Sequence, residues 1–117
     1  MSKGNSSTIV LIPTYNERGT LEALVRDVLN LVSVDICIID DNSPDGTGAL
    51  AQAIADENPR VHVLHRPGKG GLGKAYLAGF QEALQAGYER IIQMDADFSH
   101  PISHLPTLLA LSEHYDL

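Results

Sequence analysis

The sequence holds one cysteine, Cys37, set inside the apolar run DICIID. One cysteine cannot build a disulfide framework, so the fold has to rest on its core, and a reducing compartment is expected. Long hydrophobic runs are missing too, and none approaches the roughly 20 residues that span a bilayer. The opening MSKGNSSTIV has no apolar h-region and does not read as a signal peptide. Positive charge is scarce: 8 Lys and Arg stand against 15 Asp and Glu, a net charge of −7. The lack of a basic stripe argues against binding to nucleic acid, and an anionic ligand would need a local basic loop or a metal. There is no internal repeat, low-complexity tract or linker. What is present, 117 residues of 44% apolar content, suits one modest core.

Four short runs rich in β-branched residues recur at Thr8 to Ile12, Asp35 to Ile39, Val61 to Leu64 and Arg90 to Met94. Each has the length of a buried strand. Helical spacing fills the gaps. Leu21, Leu24, Val25, Val28 and Leu29 mark the first helix, and Leu50 and Ile54 mark a second that stops at Asn58-Pro59. Leu72, Tyr76, Phe80 and Ala83 suggest the apolar face of a third, ending near Gly87. A fourth is expected from Ser103, carrying Leu105, Leu108 and Leu109, with Pro106 in its first turn. Strict alternation of strand and helix predicts an α/β fold with a parallel sheet. The final YDL reads as the approach to a further strand, so the chain is expected to be the N-terminal part of a longer protein.

The segments after the strands carry the unusual residues: PTYNE, DDNSPDGT, HRPGKGGLGK and DADFSHP. In a parallel sheet all four emerge at one carboxyl edge, where open α/β sheets bind ligands. Tyr15 offers an aromatic face and Glu17 an acceptor, although Asn16 and Glu17 also suit a helix start. Asp40 and Asp41 point to opposite faces on extended chain, so one can meet a ligand while the other turns inward. A carboxylate there can accept from guanine N1–H and the 2-amino group, or from uracil N3–H. Asp45 or Thr47 is expected to cap the second helix. The glycine-rich loop holds Arg66, Lys69 and Lys74 but matches neither a P-loop nor GxGxxG; it offers N–H groups and positive charge to an anion.

Asp95 and Asp97 stand at i and i+2, about 6.6 Å apart at Cα on an extended strand, with both side chains on one side. Two such carboxylates can share one Mg²⁺ or Mn²⁺, which completes its shell with water and a diphosphate. The competing reading is a polar turn in water. A zinc site from His100, His104 and Asp97 is disfavoured, because His100 precedes Pro101 and a regular helix there is opposed.

Taken in order, IPTYNE, IIDDNSPDGT, RPGKGGLGKAYLAGF and MDADFSHP resemble the family-2 glycosyltransferases of GT-A fold, and within them the polyprenol-phosphate (dolichol-phosphate) mannosyltransferases. The resemblance implies a Rossmann-like nucleotide-binding half, a mostly parallel sheet with helices on both faces, spanning 1–117 and stopping before the acceptor-binding half. It implies transfer of mannose from GDP-mannose to a polyprenyl phosphate, with inversion, at the cytoplasmic face of a membrane reached through the missing C-terminal part. Pro13, Tyr15, Glu17, Ile39 and Asp41 would line the nucleoside pocket, with Lys69 near the donor and Ala96 touching the nucleotide. Asp95 and Asp97 would ligate Mg²⁺ or Mn²⁺. Ser99 falls where relatives carry a longer third ligand, which leaves direct or water-mediated coordination open.

The acceptor's chemistry agrees with the absence of any obvious catalytic base. A phosphate monoester, with a second pKa of about 6, is already mostly dianionic at neutral pH. Three other readings compete with this one. A receiver domain needs its acidic pair after strand one, whereas here the pair follows strand two. A noncatalytic nucleotide-binding module, and the same fold with UDP-glucose or another donor and acceptor, both stay open.

Overall fold

The computed structural model describes residues 7–68 and 71–94. Its elements run β1 (Thr8–Thr14), α1 (Arg18–Leu31), β2 (Asp35–Asp40), α2 (Thr47–Glu57), β3 (Val61–His65), α3 (Leu72–Ala86) and β4 (Arg90–Gln93). The expected fourth helix falls outside the described residues. All strand pairings are parallel, in the order β3-β2-β1-β4. After β3 the chain crosses back over β2 and β1, so the strand order reverses between β1 and β4.

Alternate residues of the central strands feed two cores, as a period of two requires. Val10, Ile12, Ile36 and Ile38 meet Leu21, Leu24, Val25 and Val28 of α1 and Ala51 of α2. Ile9, Leu11, Cys37 and Ile39 meet Ala75 and Ala83 of α3. Every residue of β1 and β2 is buried, which is why both read as unbroken apolar runs. The outer strands β3 and β4 are only partly covered. β1 continues two residues beyond the expected Ile12. Pro13 and Thr14 pair with Ile39 and Asp40 of β2, while the β4 register ends at Leu11 and Gln93. Pro13, which has no N–H, thus sits where β1 among the described residues pairs on one side only.

The helices end where expected. Asn58 closes α2 in extended conformation, and Gly87 closes α3 at φ +93°, a left-handed C-cap. Of the expected face of α3, Ala83 is buried and Tyr76 packs against the same core, but Phe80 needs correction. Phe80 is 40% exposed and shares the outer surface with Leu77 and Leu84, while the small residues Ala75, Gly79 and Ala83 face the sheet. The helix lies so close that a Cβ on Gly79 would stand 2.4 Å from Ile39 Cδ1. Close approach selects small side chains over large ones, so the bulk of Phe80 does not mark the contact with the sheet.

Candidate functional site

Three loops meet at the carboxyl edge of β1, β2 and β3. The paired aspartates that end β2 diverge there. Asp40, 2% exposed, turns inward and accepts from Thr14 Oγ1 (2.9 Å), Ser43 Oγ (2.6 Å) and the Ser43 backbone N–H (3.1 Å). Gly48 makes room for it, since a Cβ at that position would meet Asp40 Oδ2 at 2.7 Å. Asp41 points the other way, and its Oδ1 accepts from Arg66 Nη1 at 2.9 Å. Both partners are largely buried, at 18% and 8% side-chain exposure, so this charge-assisted bond is better shielded than a surface pair. The ladder carries the geometry onward: Asp41 N–H donates to Thr14 O, and Arg66 N–H donates to Asp40 O.

Asp41 borders a cleft of about 150 Å³, lined also by Pro13, Thr14, Tyr15, Glu17, Gly71 and Ala75. Four of the five expected nucleoside-pocket residues, Pro13, Tyr15, Glu17 and Asp41, are therefore brought together. Ile39 is not among the lining residues; it is fully buried against α3 below them. Lys69, Asp95, Ala96, Asp97 and Ser99 lie outside the described residues. Among the described residues no cluster of three His, Cys, Asp or Glu could hold a metal ion.

The loop after β2 grips the loop after β1. Ser43 Oγ accepts from Asn16 N–H (3.0 Å), Thr47 Oγ1 from Glu17 N–H (3.1 Å) and Asp45 Oδ2 from Arg18 N–H (3.3 Å). Asp45 also accepts from the Thr47 N–H at 2.9 Å and from the Thr47 hydroxyl, so it serves the start of α2 as well. The Thr47 hydroxyl bond lowers the Asp45 pKa below the ordinary carboxylate value, aided by the Thr47 and Arg18 N–H groups and the Arg18 charge, against a smaller effect of burial. Asn16 and Asn42 adopt φ +58° and +56°, left-handed positions at which Asn is the tolerated non-glycine residue.

Some lining residues lay outside the expected set. Thr14 is hidden inside PTYNE, where Tyr15 and Glu17 attract notice first. Gly71 and Ala75 lie one turn apart at the start of α3, and nothing in their chemistry signals a ligand. Arg66 was visible as one of three loop cations, but its pairing with Asp41 depends on β3 lying beside β2.

At the opposite edge, Tyr88 Oη donates to the fully buried Asp35 at 2.6 Å, and His62 Nε2 lies 3.4 Å from the same hydroxyl. His65 meets Gln52 at the exposed end of β3. Neither histidine faces the cleft lining.

Comparison with known proteins fits this geometry. Residues 9–117 match the family described as Glycosyl transferase family 2. A polyprenol monophosphomannose synthase of Mycolicibacterium smegmatis is 53% identical over 104 residues, which cover 87% of this chain and 39% of that protein. An undecaprenyl-phosphate mannosyltransferase of Micrococcus luteus is 46% identical over 110 residues, covering 93% and 45% respectively. The chain thus spans less than half the length of these curated relatives. Among solved structures, a mannosyltransferase from Pyrobaculum calidifontis in complex with GDP-Man and Mn²⁺ superposes with a TM-score of 0.71. At 21% identity over 84% of this chain and 29% of that one, it shares the fold.

Proposed function

Because this chain belongs to glycosyl transferase family 2, we propose that residues 1–117 are the nucleotide-sugar-binding part of a longer enzyme. That enzyme transfers mannose from GDP-mannose to a polyprenyl phosphate with inversion. The observation that carries this reading is Asp41, held at the cleft between Tyr15, Glu17 and Arg66 at the carboxyl edge of the sheet. The Arg66 bond to Oδ1 orients the Asp41 carboxylate, leaving Oδ2 to accept from a base N–H. Tyr15 supplies a ring beside it, and Pro13 fixes the exit from β1. The names of the relatives supply the mannosyl group and the polyprenyl phosphate.

Asp95 and Asp97, with Ser99, would hold Mg²⁺ or Mn²⁺. The donor set is hard oxygen throughout, which suits either ion. Just after β4, Met94 N–H donates to Leu11 O at 3.0 Å, so the residue before Asp95 stands beside β1, two residues short of Pro13, which supports a common rim. When bound, such a cation neutralises charge on a leaving diphosphate. Lys69, in the glycine-rich loop, would add positive charge to the same region. No residue is assigned as general base. The acceptor phosphate is its own nucleophile, and Asp97 contributes only as a ligand. What the protein supplies is alignment. The proposed acceptor is a lipid phosphate, which places the enzyme's work at a membrane surface; the cytoplasmic face and a peripheral mode of contact are part of the same proposal. Among the described residues no helix is long and apolar enough to cross a bilayer.

A thermal-shift panel tests the reading with GDP-mannose, UDP-glucose and UDP-GlcNAc, each with and without Mn²⁺. Ligand at 100 times its Kd stabilises by about 2.7 kcal/mol. GDP-mannose should give the largest shift, increased by Mn²⁺, and Asp97→Ala should remove that increase. A larger UDP-glucose shift would replace the donor, and no shift with any nucleotide would overturn the reading. The 117 residues alone should bind without turning over; transfer at the rate of a longer form would refute that part.

A further inference from the structure

The motif SPDGT (residues 43–47) is not explained by the cleft, because none of its side chains lines it. Its bonds go elsewhere. Three consecutive backbone N–H groups, those of Asn16, Glu17 and Arg18, each meet one of its side chains: Ser43, Thr47 and Asp45. Those of Glu17, the N-cap, and Arg18, the first helical residue, are donors that a helix N-terminus leaves without an intrahelical partner, and that of Asn16 lies one residue before them. Glu17, at the N-cap of α1, makes no capping bond with its own side chain. α1 is therefore capped by Thr47 and Asp45 of another loop, 27 to 30 residues away in sequence.

The brace is anchored at its far end. Ser43 is held by Asp40 through both its hydroxyl and its N–H, and Asp40 is held by Thr14 at the end of β1. The chain of bonds leaves β1 at Thr14, crosses β2 at Asp40, and returns through Ser43 to Asn16, two residues after it began. Asn16 stands between Tyr15 and Glu17, both lining residues, and its φ of +58° is a conformation that persists where surroundings hold it.

We propose that Ser43, Asp45 and Thr47 are positioning residues: Asp45 and Thr47 cap α1 from the neighbouring loop, Ser43 pins Asn16 just before it, and together they hold Tyr15 and Glu17 in the shape that receives the nucleoside. The proposal rests on the nucleotide reading of the cleft. It also assigns the three N–H groups to protein oxygens, so they do not serve the diphosphate.

The test uses the full-length protein with Ser43→Ala, Ser43→Thr, Thr47→Val and Thr47→Ser. Amide hydrogen exchange is followed at Asn16, Glu17 and Arg18, and GDP affinity and donor KM and kcat are measured beside it. Ser43→Ala should speed exchange at Asn16 and Thr47→Val at Glu17, with α1 beyond Leu21 unchanged. Each should weaken GDP binding and raise donor KM about fivefold, the scale of one lost cap, with kcat little changed. The hydroxyl-retaining variants should recover both properties. Unchanged exchange, or faster exchange spread through β1 and α1, would overturn the brace. Local exchange with unaltered GDP affinity would overturn its link to the cleft. Wild-type protein that binds no nucleotide overturns the reading of the cleft instead, and the exchange pattern then decides the brace alone.

Discussion

Replacing Gly79 by alanine should destabilise the protein, although alanine is the better helix former. Gly79 lies within α3, and an exposed Gly→Ala change there would gain about 1 kcal/mol of propensity. The new methyl would instead stand 2.4 Å from Ile39 Cδ1 and 3.3 Å from both Ile39 Cγ1 and Leu11 Cδ1. The Ile39 methyl ends a side chain, but Ile39 and Leu11 are fully buried, and a β-branched side chain has few rotamers to swing into. Overpacking of this kind costs about 1–3 kcal/mol, so the net expectation is a loss of up to about 2 kcal/mol. Gly19 in α1 is the control. Nothing lies within 4 Å of a Cβ there, so Gly19→Ala should be neutral or stabilising by up to about 1 kcal/mol. Urea titration of both variants measures the difference, read as a shifted midpoint at unchanged m. Ala75 sits one turn before Gly79 and lines the cleft, so a displaced α3 should also weaken nucleotide binding. A Gly79→Ala protein as stable as Gly19→Ala would refute the close helix–sheet contact.

Three further outcomes are expected. Burial, with the Glu82 charge adding to it, pushes the Cys37 thiol up to about 12, so native protein at pH 8 should resist iodoacetamide and react only through unfolding; rapid stoichiometric labelling would contradict this. Burial holds the His62 pKa below its ordinary value of 6.5, with the Asp35 charge partly opposing, so the unfolded chain takes up the proton first. Stability should therefore fall as pH drops below about 6.5 toward the folded value. His62→Gln should flatten that slope in urea titrations from pH 7.5 to 5, and an identical slope in both proteins would exclude His62 as its source. Tyr88→Phe removes the hydroxyl donor to buried Asp35 and should lose about 1.5–3 kcal/mol, read as a lowered urea midpoint; a change under about 0.5 kcal/mol would mean that other donors suffice.

The strands were legible because β1 and β2 are buried on both faces and their apolar runs leave no other reading. Gly87 and Asn58-Pro59 marked helix ends through local backbone preference, which needs no tertiary partner. The divergence of Asp40 and Asp41 followed from strand alternation, and their contacts match it: Thr14 and Ser43 on one side, Arg66 on the other. On α3, Ala83 and Tyr76 lie at the core as read, but Phe80 was misplaced because hydrophobic periodicity weighs bulk, whereas the contact with Ile39 and Leu11 weighs distance. Ile39 was assigned to the pocket from motif position, yet its side chain belongs to the core below it.

Local chemistry along the chain was enough to establish four parallel strands, their helices, and the concentration of reactive residues in the loops after the strands. Those properties depend on neighbours two to four residues away. Three things depended on the tertiary structure: the β3-β2-β1-β4 order, the bracing of the start of α1 by Ser43, Asp45 and Thr47, and the Arg66 bond that orients Asp41. Each joins groups 25 or more residues apart, and side-chain reach across adjacent strands follows from register, which no local preference encodes.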